Sequence, residues 1–422
     1  MPNFHASVFR YICCRFMKKT LLLSFYILLV CFSKTFAQGN SNTLDVVSWN
    51  VEWFGSPSNS PADDDLQEQN VKTVLRFLNA DIYGLVEVVD SARLRRLVDS
   101  LGSQFAYVLS PFCSGNSTGT GNAWLTGQKL AFVYNKNLFT NVSARGMMRN
   151  SGPAYTAFAS GRFPYILTAD VTVNNVTKRM NFILIHGKAG STVSDYQRRK
   201  DAAQELKDTL DTYYSTTTNI IIGDYNDALY GTICSGCGTL ISSYDPIVKD
   251  STDADHYKSV TLPLAVDGQT SMVNFPNVVD NHVISNEAEG LYVPNSARIF
   301  IDVTNLVANY GNTTTDHYPV LSQYNLSGVI TGITTVDANI LQITATPNPF
   351  RDQLTITAGK LLKNVRFQLF DSYGRLIIEE EKKLLAAHSS FTWTLNKLAA
   401  GIYYLRLTSD TYQSNFKLLH TR

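Results

Sequence analysis

The sequence lacks several features that would each point to a class of function. Its 36 Lys and Arg balance 35 Asp and Glu, leaving a formal net charge of +1, so no global field attracts nucleic acid or an anionic membrane. It has no glycine-rich phosphate loop and no serine-centred nucleophile elbow. A polyanionic substrate would therefore have to be held by a local patch or by a bound metal.

Long apolar runs are also missing, apart from one near the start of the chain. Met17-Lys18-Lys19-Thr20 opens a basic segment, residues 21–32 are largely apolar, and Thr35-Phe36-Ala37 offers a small-x-small cleavage site. The run is too short to span a bilayer comfortably, and nothing later approaches ~18 apolar residues. These features predict a signal peptide over residues 17–37.

Cysteine is scarce, with six in the chain. Cleavage after residue 37 would leave Cys113, Cys234 and Cys237. A structural zinc site needs about four ligands, and the remaining chain has no second C-x-x-C. The pair Cys234 and Cys237 is therefore predicted to form a loop disulfide, with metal binding as the alternative. Cys113 would then be a free thiol or the partner of one of these two.

Two regions of different periodicity make up the rest of the chain. Residues 43–326 alternate apolar strands with amphipathic helices, residues 327–342 read as a linker, and residues 343–422 show only strand-like alternation. The last region predicts a small β-sandwich.

Within residues 43–326 the pattern predicts helices over 66–79 and 195–214, and strands over 44–51, 82–86, 130–134, 165–173, 180–185 and 219–222. The second helix is predicted to bury Ala203, Leu206, Leu210 and Tyr213. Residues 110–127 and 242–272 are predicted to be polar loops.

Polar side chains at the ends of apolar strands are the most informative feature of this region. They are Asn50, Glu87, His186, Asp224 with Asn226, and Asp316 with His317. Burying a polar group costs free energy unless it is paired, and catalytic groups cluster at strand ends above a rigid sheet. Each residue alone could be a turn former, a helix cap or a satisfied core side chain. Their joint occurrence predicts one shared polar site.

This set of residues suits metal-assisted hydrolysis of a phosphoric ester. Oxygen donors such as Glu87 and Asn50 suit hard cations, which polarise a phosphoryl oxygen. Asp224 could accept a proton from attacking water, and the two strand-end histidines could donate to non-bridging oxygens. Asp316, the acidic neighbour of His317, would orient that histidine and favour its charged form.

Six short motifs, in order along the chain, resemble those of the endonuclease/exonuclease/phosphatase superfamily. They are Ser48-Trp49-Asn50-Val51, Glu87, Ile185-His186-Gly187-Lys188, Gly223-Asp224-Tyr225-Asn226, Val279-Asp280 and Thr315-Asp316-His317-Tyr318-Pro319-Val320. The resemblance covers residues 43–326. It implies an α/β (α+β) fold, a four-layered sandwich with two central, mostly antiparallel β-sheets, followed here by the small all-β sandwich.

The resemblance also implies roles for individual residues. Asn50 and Glu87 would bind Mg²⁺, with Mn²⁺ or Ca²⁺ as alternatives. His186 would hold the phosphate, Asp224 would activate water and Asn226 would stabilise the transition state. His317, paired with an acid, would be the catalytic histidine.

Three further positions resemble residues beside the family's site: Tyr134, Arg162 and Asp280, which would contact the phosphate or the substrate. Two departures stand out. Val86 occupies a position where the family often has Gln, and His282 stands where an aliphatic residue is common.

The last region also resembles a known domain. Pro347-Asn348-Pro349-Phe350, residues 369–374 and 398–405, and Lys417-Leu418-Leu419 are similar to the type IX secretion sorting domain of Bacteroidetes. Over residues 343–422 this implies a partnership with the type IX secretion machinery. The protein would pass through the periplasm and end secreted or on the outer cell surface.

These features together predict a secreted hydrolase of phosphodiesters, in the first place an endonuclease acting on DNA or RNA. No obligate protein partner is implied, and a monomer is expected. Alternatives are a phospholipase C acting on sphingomyelin, a phosphomonoesterase of an inositol phosphate, and a surface binding protein with a vestigial site.

Overall fold

The computed structural model describes residues 42–59, 61–115, 120–248, 255–328, 343–371, 375–408 and 413–421. The predicted signal peptide over 17–37 and most of the predicted linker over 327–342 lie outside these residues. Within the described ranges, no helix is long and apolar enough to cross a membrane.

The first of two large sheets contains six strands: β1 Leu44–Phe54, β2 Ile82–Val88, β3 Phe105–Cys113, β4 Lys129–Asn135, β11 Arg298–Ile299 and β12 Val320–Tyr324. Their order across the sheet is β11-β12-β1-β2-β4-β3. Only β1 and β2 run parallel, and every other neighbouring pair is antiparallel.

The second sheet repeats this plan with β5 Phe139–Gly146, β6 Tyr165–Val173, β7 Val176–His186, β8 Thr218–Asp224, β9 Tyr257–Ser259 and β10 Asp280–Ser285. The order is β5-β6-β7-β8-β10-β9. Here β7 and β8 form the single parallel pair. The prediction of two mostly antiparallel central sheets is confirmed.

The helices of this region are α1 Asp64–Leu78, α2 Ser91–Leu101, α3 Asn122–Thr126, α4 Gly152–Ala157, α5 Val193–Tyr214, α6 Asp245–Val248, α7 Leu262–Val266, α8 Asn286–Glu289 and α9 Tyr310–Thr313, with a 3-10 helix over Ile301–Asn305. Local chemistry sets the ends of the long ones. The Asp63 side chain caps α1 by accepting from two backbone N–H groups, and Asn79 ends α1 in the left-handed conformation. Thr192 and Asp195 form a capping box at the start of α5.

Three apolar cores give the four layers. Between the sheets, side chains such as Val46, Phe182 and Ile222 are fully buried. A Cβ at Gly84 would lie 2.8 Å from both Ile222 Cδ1 and Leu184 Cδ1, so the sheets approach there as closely as only glycine permits. Helices α1 and α2 cover the outer face of the first sheet, and α4 and α5 cover the outer face of the second. The predicted four-layered sandwich is confirmed.

The C-terminal region contains β13 Ile343–Thr346, β14 Gln353–Ala358, β15 Leu362–Asp371, β16 Leu376–Leu385, β17 Ser390–Thr394, β18 Gly401–Thr408 and β19 Gln413–His420. They form an antiparallel three-stranded sheet, β13-β14-β17, and an antiparallel four-stranded sheet, β16-β15-β18-β19. Both sheets contribute to one apolar core, for example Leu354, Phe367 and Leu405. The predicted small all-β sandwich is confirmed.

Two local predictions differ from the structure. Tyr213, predicted to lie on the buried face of α5, is 75% exposed, whereas Arg199 and Lys207 are buried. Their charges have partners, because Arg199 Nε lies 3.6 Å from Asp227 and Lys207 Nζ lies 2.6 Å from Asp211. The periodicity of apolar residues in a sequence does not reveal a buried cation of this kind. Both predicted loops contain regular elements: the loop over 110–127 includes the end of β3 and the short helix α3, and the loop over 242–272 includes α6, β9 and α7.

Candidate active site

The two parallel strand pairs bring predicted site residues together. Asn50 lies opposite Val86 in the β1–β2 pair, and His186 lies opposite Asp224 in the β7–β8 pair. Asp280, the first residue of the antiparallel neighbour β10, also lies opposite Asp224. The carboxyl ends of the four parallel strands therefore meet at one edge of the two-sheet core.

Asp224 lies at the centre of this edge. Its Oδ2 atom accepts hydrogen bonds from Asn50 Nδ2 at 3.0 Å and from Asn226 Nδ2 at 3.1 Å. The same oxygen lies 3.5 Å from His186 Nε2 and 3.8 Å from His317 Nε2. Four predicted residues, Asn50, His186, Asn226 and His317, thus converge on one carboxylate oxygen of Asp224.

Glu87 adjoins this cluster from the end of β2. Its Oε1 accepts from Asn50 Nδ2 at 3.1 Å and lies 3.5 Å from His186 Nε2, while its Oε2 accepts from the Trp53 backbone N–H at 3.0 Å. Glu87 has φ +67° and Asn226 has φ +51°. Left-handed backbone at non-glycine residues costs free energy and concentrates at functional sites.

The partner of His317 differs from the prediction. His317 Nδ1 lies 2.8 Å from Asp280 Oδ2, and both side chains are buried. The predicted partner, Asp316, is 46% exposed at its side chain and lies 3.7 Å from the other ring nitrogen. Neighbours in sequence point apart along an extended chain, whereas β10 places Asp280 directly against the ring. The acid bonded to the ring of His317 is therefore Asp280, while its predicted contact with substrate stays a prediction.

Burial and charge set the protonation of the three central groups. Burial raises the pKa of Asp224 to about 7, opposed by His317 and reinforced by Asp280. Burial alone would lower the pKa of His317, but Asp280 and Asp224 together hold it well above its usual value. Burial, with Arg162 and His317 nearby, lowers the pKa of His186 well below its usual value. At neutral pH His317 is the charged histidine and His186 is the neutral one.

Glu52 is a site residue that the sequence reasoning missed. Its Oε2 accepts from the Asp316 backbone N–H at 2.9 Å. Burial and the charge of Asp316 raise the pKa of Glu52 to about 7. Its position two residues after Asn50, on the same strand, was the available indication. The edge thus gathers five carboxylates: Glu52, Glu87, Asp224, Asp280 and Asp316.

Arg162 supports the site from below. Its Nη1 donates to Ser114 Oγ at 3.1 Å and to Gln128 Oε1 at 2.7 Å, and its Nη2 donates to the carbonyls of His186 at 3.0 Å and Gly187 at 2.9 Å. With the residue only 3% exposed, these contacts engage both terminal nitrogens. These bonds fix the turn after β7, and the predicted contact of Arg162 with phosphate stays a prediction.

Tyr134 lies at the other end of its sheet. It pairs with Ile82, the first residue of β2, whereas Glu87 is near the last. Five residues of strand separate these positions by about 17 Å. The prediction failed because β4 runs antiparallel to β2, so the carboxyl end of β4 is at the edge opposite the site. Tyr134 packs instead against Phe139, with ring centroids 5.8 Å apart.

Asp227 organises the loop that follows the site. Its carboxylate accepts from Thr232 Oγ1, the Ile233 backbone N–H and Ser243 Oγ, and it pairs with buried Arg199. The predicted disulfide between Cys234 and Cys237 is present in this loop. Cys113 is a buried thiol outside that disulfide. Asp227 thus holds this loop in place.

His282, whose role the sequence left in doubt, lies between the two sheets. Its Nε2 is 2.9 Å from Ser48 Oγ and its Nδ1 is 2.7 Å from Ser322 Oγ. Burial lowers the pKa of His282 to about 3. It is a neutral core residue that links the sheets by hydrogen bonds.

The side chains at this edge fit a divalent cation. Asp224, Asp280 and His317 each offer one ligand atom, and these atoms lie within 4.8 Å of one another. Because a charged His317 has no lone pair for a metal, the two carboxylates are the donors available at neutral pH. Carboxylate oxygens are the donors that hard cations prefer. Asp280 Oδ1 is buried and, among the described residues, has no hydrogen-bond partner. A buried carboxylate oxygen without a partner is costly, and a cation would relieve that cost.

In this structure the side-chain amide of Asn50 is not oriented as a metal ligand would be. Its Nδ2 faces the carboxylates of Glu87 and Asp224, and its Oδ1 accepts from the Glu52 backbone N–H at 2.9 Å. To bind metal, Asn50 would have to present Oδ1 to the cation, and the two ends of an amide are exchanged by rotation about its last side-chain bond.

Comparisons with known families give two matches. Residues 47–238 match the model of the endonuclease/exonuclease/phosphatase family, and residues 345–420 match that of the secretion system C-terminal sorting domain. No curated protein matches the sequence.

Similar solved structures include three with modest scores. An endonuclease/exonuclease/phosphatase from Beutenbergia cavernae is 16% identical, with a TM-score of 0.48, covering 90% of this chain and 100% of that one. The catalytic domain of human Nocturnin with bound sulfate is 15% identical, with a TM-score of 0.45 and coverage of 67% and 94%. A mannosyl-6-phosphatase from Bacteroides thetaiotaomicron is 12% identical, with a TM-score of 0.43 and coverage of 67% and 99%.

Proposed function

Because residues 47–238 belong to the endonuclease/exonuclease/phosphatase family and residues 345–420 to the secretion sorting family, we propose that this chain is an exported, Mg²⁺-dependent nuclease. At the coarser level it is a hydrolase of phosphoric ester bonds. Its sorting domain directs export through type IX secretion to the cell surface or the extracellular space. The finer proposal concerns the substrate, the cation and the roles of individual residues.

The observation that carries the proposal is the environment of Asp224. A buried carboxylate with a pKa of about 7 is matched to accept a proton from water near neutral pH. Asn226 Nδ2 and His186 Nε2 converge on the same oxygen. In the proposed reaction Asp224 takes the proton of the attacking water, and Asn226 steadies the carboxylate and the developing charge.

The two histidines have different proposed roles because their charges differ. His317, kept charged by Asp280, would stabilise negative charge on the phosphoryl oxygens. His186 is neutral and would donate a hydrogen bond from Nε2 to another phosphoryl oxygen. A divalent cation held by Glu87 and Asn50 would polarise a phosphoryl oxygen and offset its charge.

The charge balance of the site favours a phosphodiester over a phosphomonoester. Five carboxylates surround the edge, and the guanidinium of Arg162 is turned to protein carbonyls beneath it. A phosphomonoester carries close to two negative charges at neutral pH. The positive charges proposed for this edge are those of His317 and the cation, and they face several carboxylates, so the edge suits a singly charged diester better. A nucleic acid supplies diesters, and the substrate panel below separates it from a lipid.

The test is a substrate panel. Native full-length chain would be assayed on supercoiled plasmid, single-stranded RNA, sphingomyelin vesicles and bis-p-nitrophenyl phosphate, with Mg²⁺, Mn²⁺, Ca²⁺ or chelator. Asp224→Asn should lose about 10²–10⁴-fold in rate. Asp170→Asn, the same change at the surface of β6 where Asp170 pairs with Arg179, should retain activity.

The outcomes are distinct. Cation-dependent cleavage of plasmid or RNA supports the nuclease. Cleavage of sphingomyelin alone identifies a lipid phosphodiesterase. No turnover on any substrate with any cation would indicate a binding protein with a vestigial site.

A further inference from the structure

A buried glutamine on α1 joins the two segments that carry the site. Gln67 is fully buried, one turn into a helix that itself contributes nothing to the catalytic edge. Its Nε2 donates to the carbonyls of Val51 and Glu52, each at 2.9 Å. The same nitrogen donates to the Thr314 carbonyl at 3.0 Å, and Oε1 accepts from the Gly55 backbone N–H at 3.2 Å.

The first of these segments is irregular and needs such a partner. The pairing of β1 with β2 is interrupted between Asn50 and Phe54, and Glu52 and Trp53 have φ of +43° and +49°. Two consecutive left-handed residues with bulky side chains are strained. The interruption takes backbone groups out of the sheet ladder, and Gln67 supplies hydrogen bonds to two of them, at Val51 and Glu52, and to Gly55 just after the strand.

This strained segment orients two predicted metal ligands. The Glu52 backbone N–H donates to Asn50 Oδ1 at 2.9 Å, and the Trp53 backbone N–H donates to Glu87 Oε2 at 3.0 Å. Both N–H groups point where they do because of the left-handed backbone that Gln67 holds. The position of Gln67 is thereby transmitted to Asn50 and Glu87 through two short hydrogen bonds.

The second segment carries the catalytic histidine. Thr314, bonded to Gln67, is three residues before His317, and Thr315 Oγ1 donates to the Asn50 carbonyl at 2.8 Å. On the next turn of the site-facing surface of α1, Asn70 Nδ2 donates to the Thr313 carbonyl at 3.1 Å. Segments more than 250 residues apart in sequence are thus tied to one helix.

We propose that Gln67 is a positioning residue that sets Glu87 and the backbone of Asn50 against His317. It touches neither substrate nor cation, and it acts through the backbone of residues 51–55 and 314. A misplacement of about 1 Å at a catalytic group can cost roughly 10²-fold in rate. Loss of a side chain that fixes both segments should therefore slow turnover. The proposal rests on the proposed function for its activity readout only.

The test compares two variants on the same helix. Gln67→Met keeps the side-chain volume but removes all four hydrogen bonds. Val71→Ala, at a fully buried position one turn later, destabilises the helix by a cavity and leaves those bonds in place. Full-length protein would be assayed for kcat and KM on a phosphodiester at a temperature well below the melting temperature of each variant. The rise in melting temperature on adding Mg²⁺ would be measured separately.

We expect Gln67→Met to lose about 10–100-fold in kcat and most of the Mg²⁺-induced rise, while Val71→Ala keeps both. A purely structural role would make the two variants alike, with a lower melting temperature and native kcat and Mg²⁺ response, and that result would overturn the proposal. If the native chain has no activity, the proposed function fails while the Mg²⁺ response still tests Gln67.

A milder variant covers the case in which Gln67→Met does not fold. Asn70→Ala removes only the bonds to Thr313 on the same face of α1. A reduced Mg²⁺ response with a smaller loss of kcat supports the proposal, and a native response in both measurements contradicts it.

Discussion

The identity of the acid that orients His317 leads to a quantitative expectation. Asp280 Oδ2 lies 2.8 Å from His317 Nδ1, with both groups buried. A hydrogen bond to a charged group contributes about 1.5–3 kcal/mol, which corresponds to roughly 10- to 150-fold in rate at about 1.4 kcal/mol per factor of ten. We therefore expect Asp280→Asn to lower kcat/KM by that factor.

Asp316→Asn is the matched control, because it makes the same change on the other neighbouring acid. Its side chain is 46% exposed and 3.7 Å from His317 Nε2. Exposed ion pairs contribute up to about 1 kcal/mol, so the expected loss is about fivefold or less.

The pH profile of kcat/KM gives a second readout. Asp280 helps to hold the pKa of His317 well above its usual value, so the native enzyme keeps its charged histidine into the alkaline range. In Asp280→Asn the proton leaves at lower pH, and activity should fall earlier as pH rises. If Asp316→Asn lost as much activity as Asp280→Asn, or if the alkaline limb did not move, the assignment of Asp280 would be refuted.

Three further changes have expected outcomes. The pKa of His282 is about 3 in the fold against about 6.5 in the unfolded chain, so the unfolded state binds the extra proton between these values. The free energy of unfolding, measured with urea, should therefore fall by about 2 kcal/mol from pH 6.5 to 5. His282→Gln should lack this fall, and the same fall in the variant would contradict the expectation. Arg199→Leu leaves the buried Asp227 carboxylate without its cation and should lower the free energy of unfolding by about 3–5 kcal/mol, which lowers the urea midpoint. Lys200→Leu, at an exposed position, is the control. Equal midpoints for the two variants would contradict the expectation. Tyr134→Phe, at the far end of its sheet, should leave kcat/KM within about twofold of native; a large loss would place Tyr134 at the site after all.

Sequence patterns located most elements of the fold because burial is periodic along a strand or a helix. The strand over 165–173 has the predicted bounds, and the helix predicted over 66–79 is observed over Asp64–Leu78. The prediction that Tyr213 is buried on α5 was wrong, because apolar periodicity takes no account of Arg199 and Lys207, which are buried with their charges paired.

The candidate site, like the fold, was only partly predictable from the sequence. Asn50, Glu87, His186, Asp224 and His317 were recognised as polar residues at strand ends, and the structure brings all five together. Tyr134, named through the family resemblance, lies at the opposite edge of its sheet because β4 runs antiparallel to β2.

By itself, the sequence indicated the kind of chemistry, favoured a disulfide over metal binding at Cys234 and Cys237, and divided the chain into an α/β region and a small all-β unit, since these follow from residue types, spacing and periodicity. The sandwich with two central sheets was implied by the family resemblance. Only the tertiary structure decided which acid serves His317, that Arg162 supports the turn after β7, and that Gln67 joins residues 51–55 to residue 314. The reason is physical. Hydrogen bonds and charge effects act over a few ångströms in space, and the pairing of β8 with β10 and the packing of α1, rather than distance along the chain, determine which groups come that close.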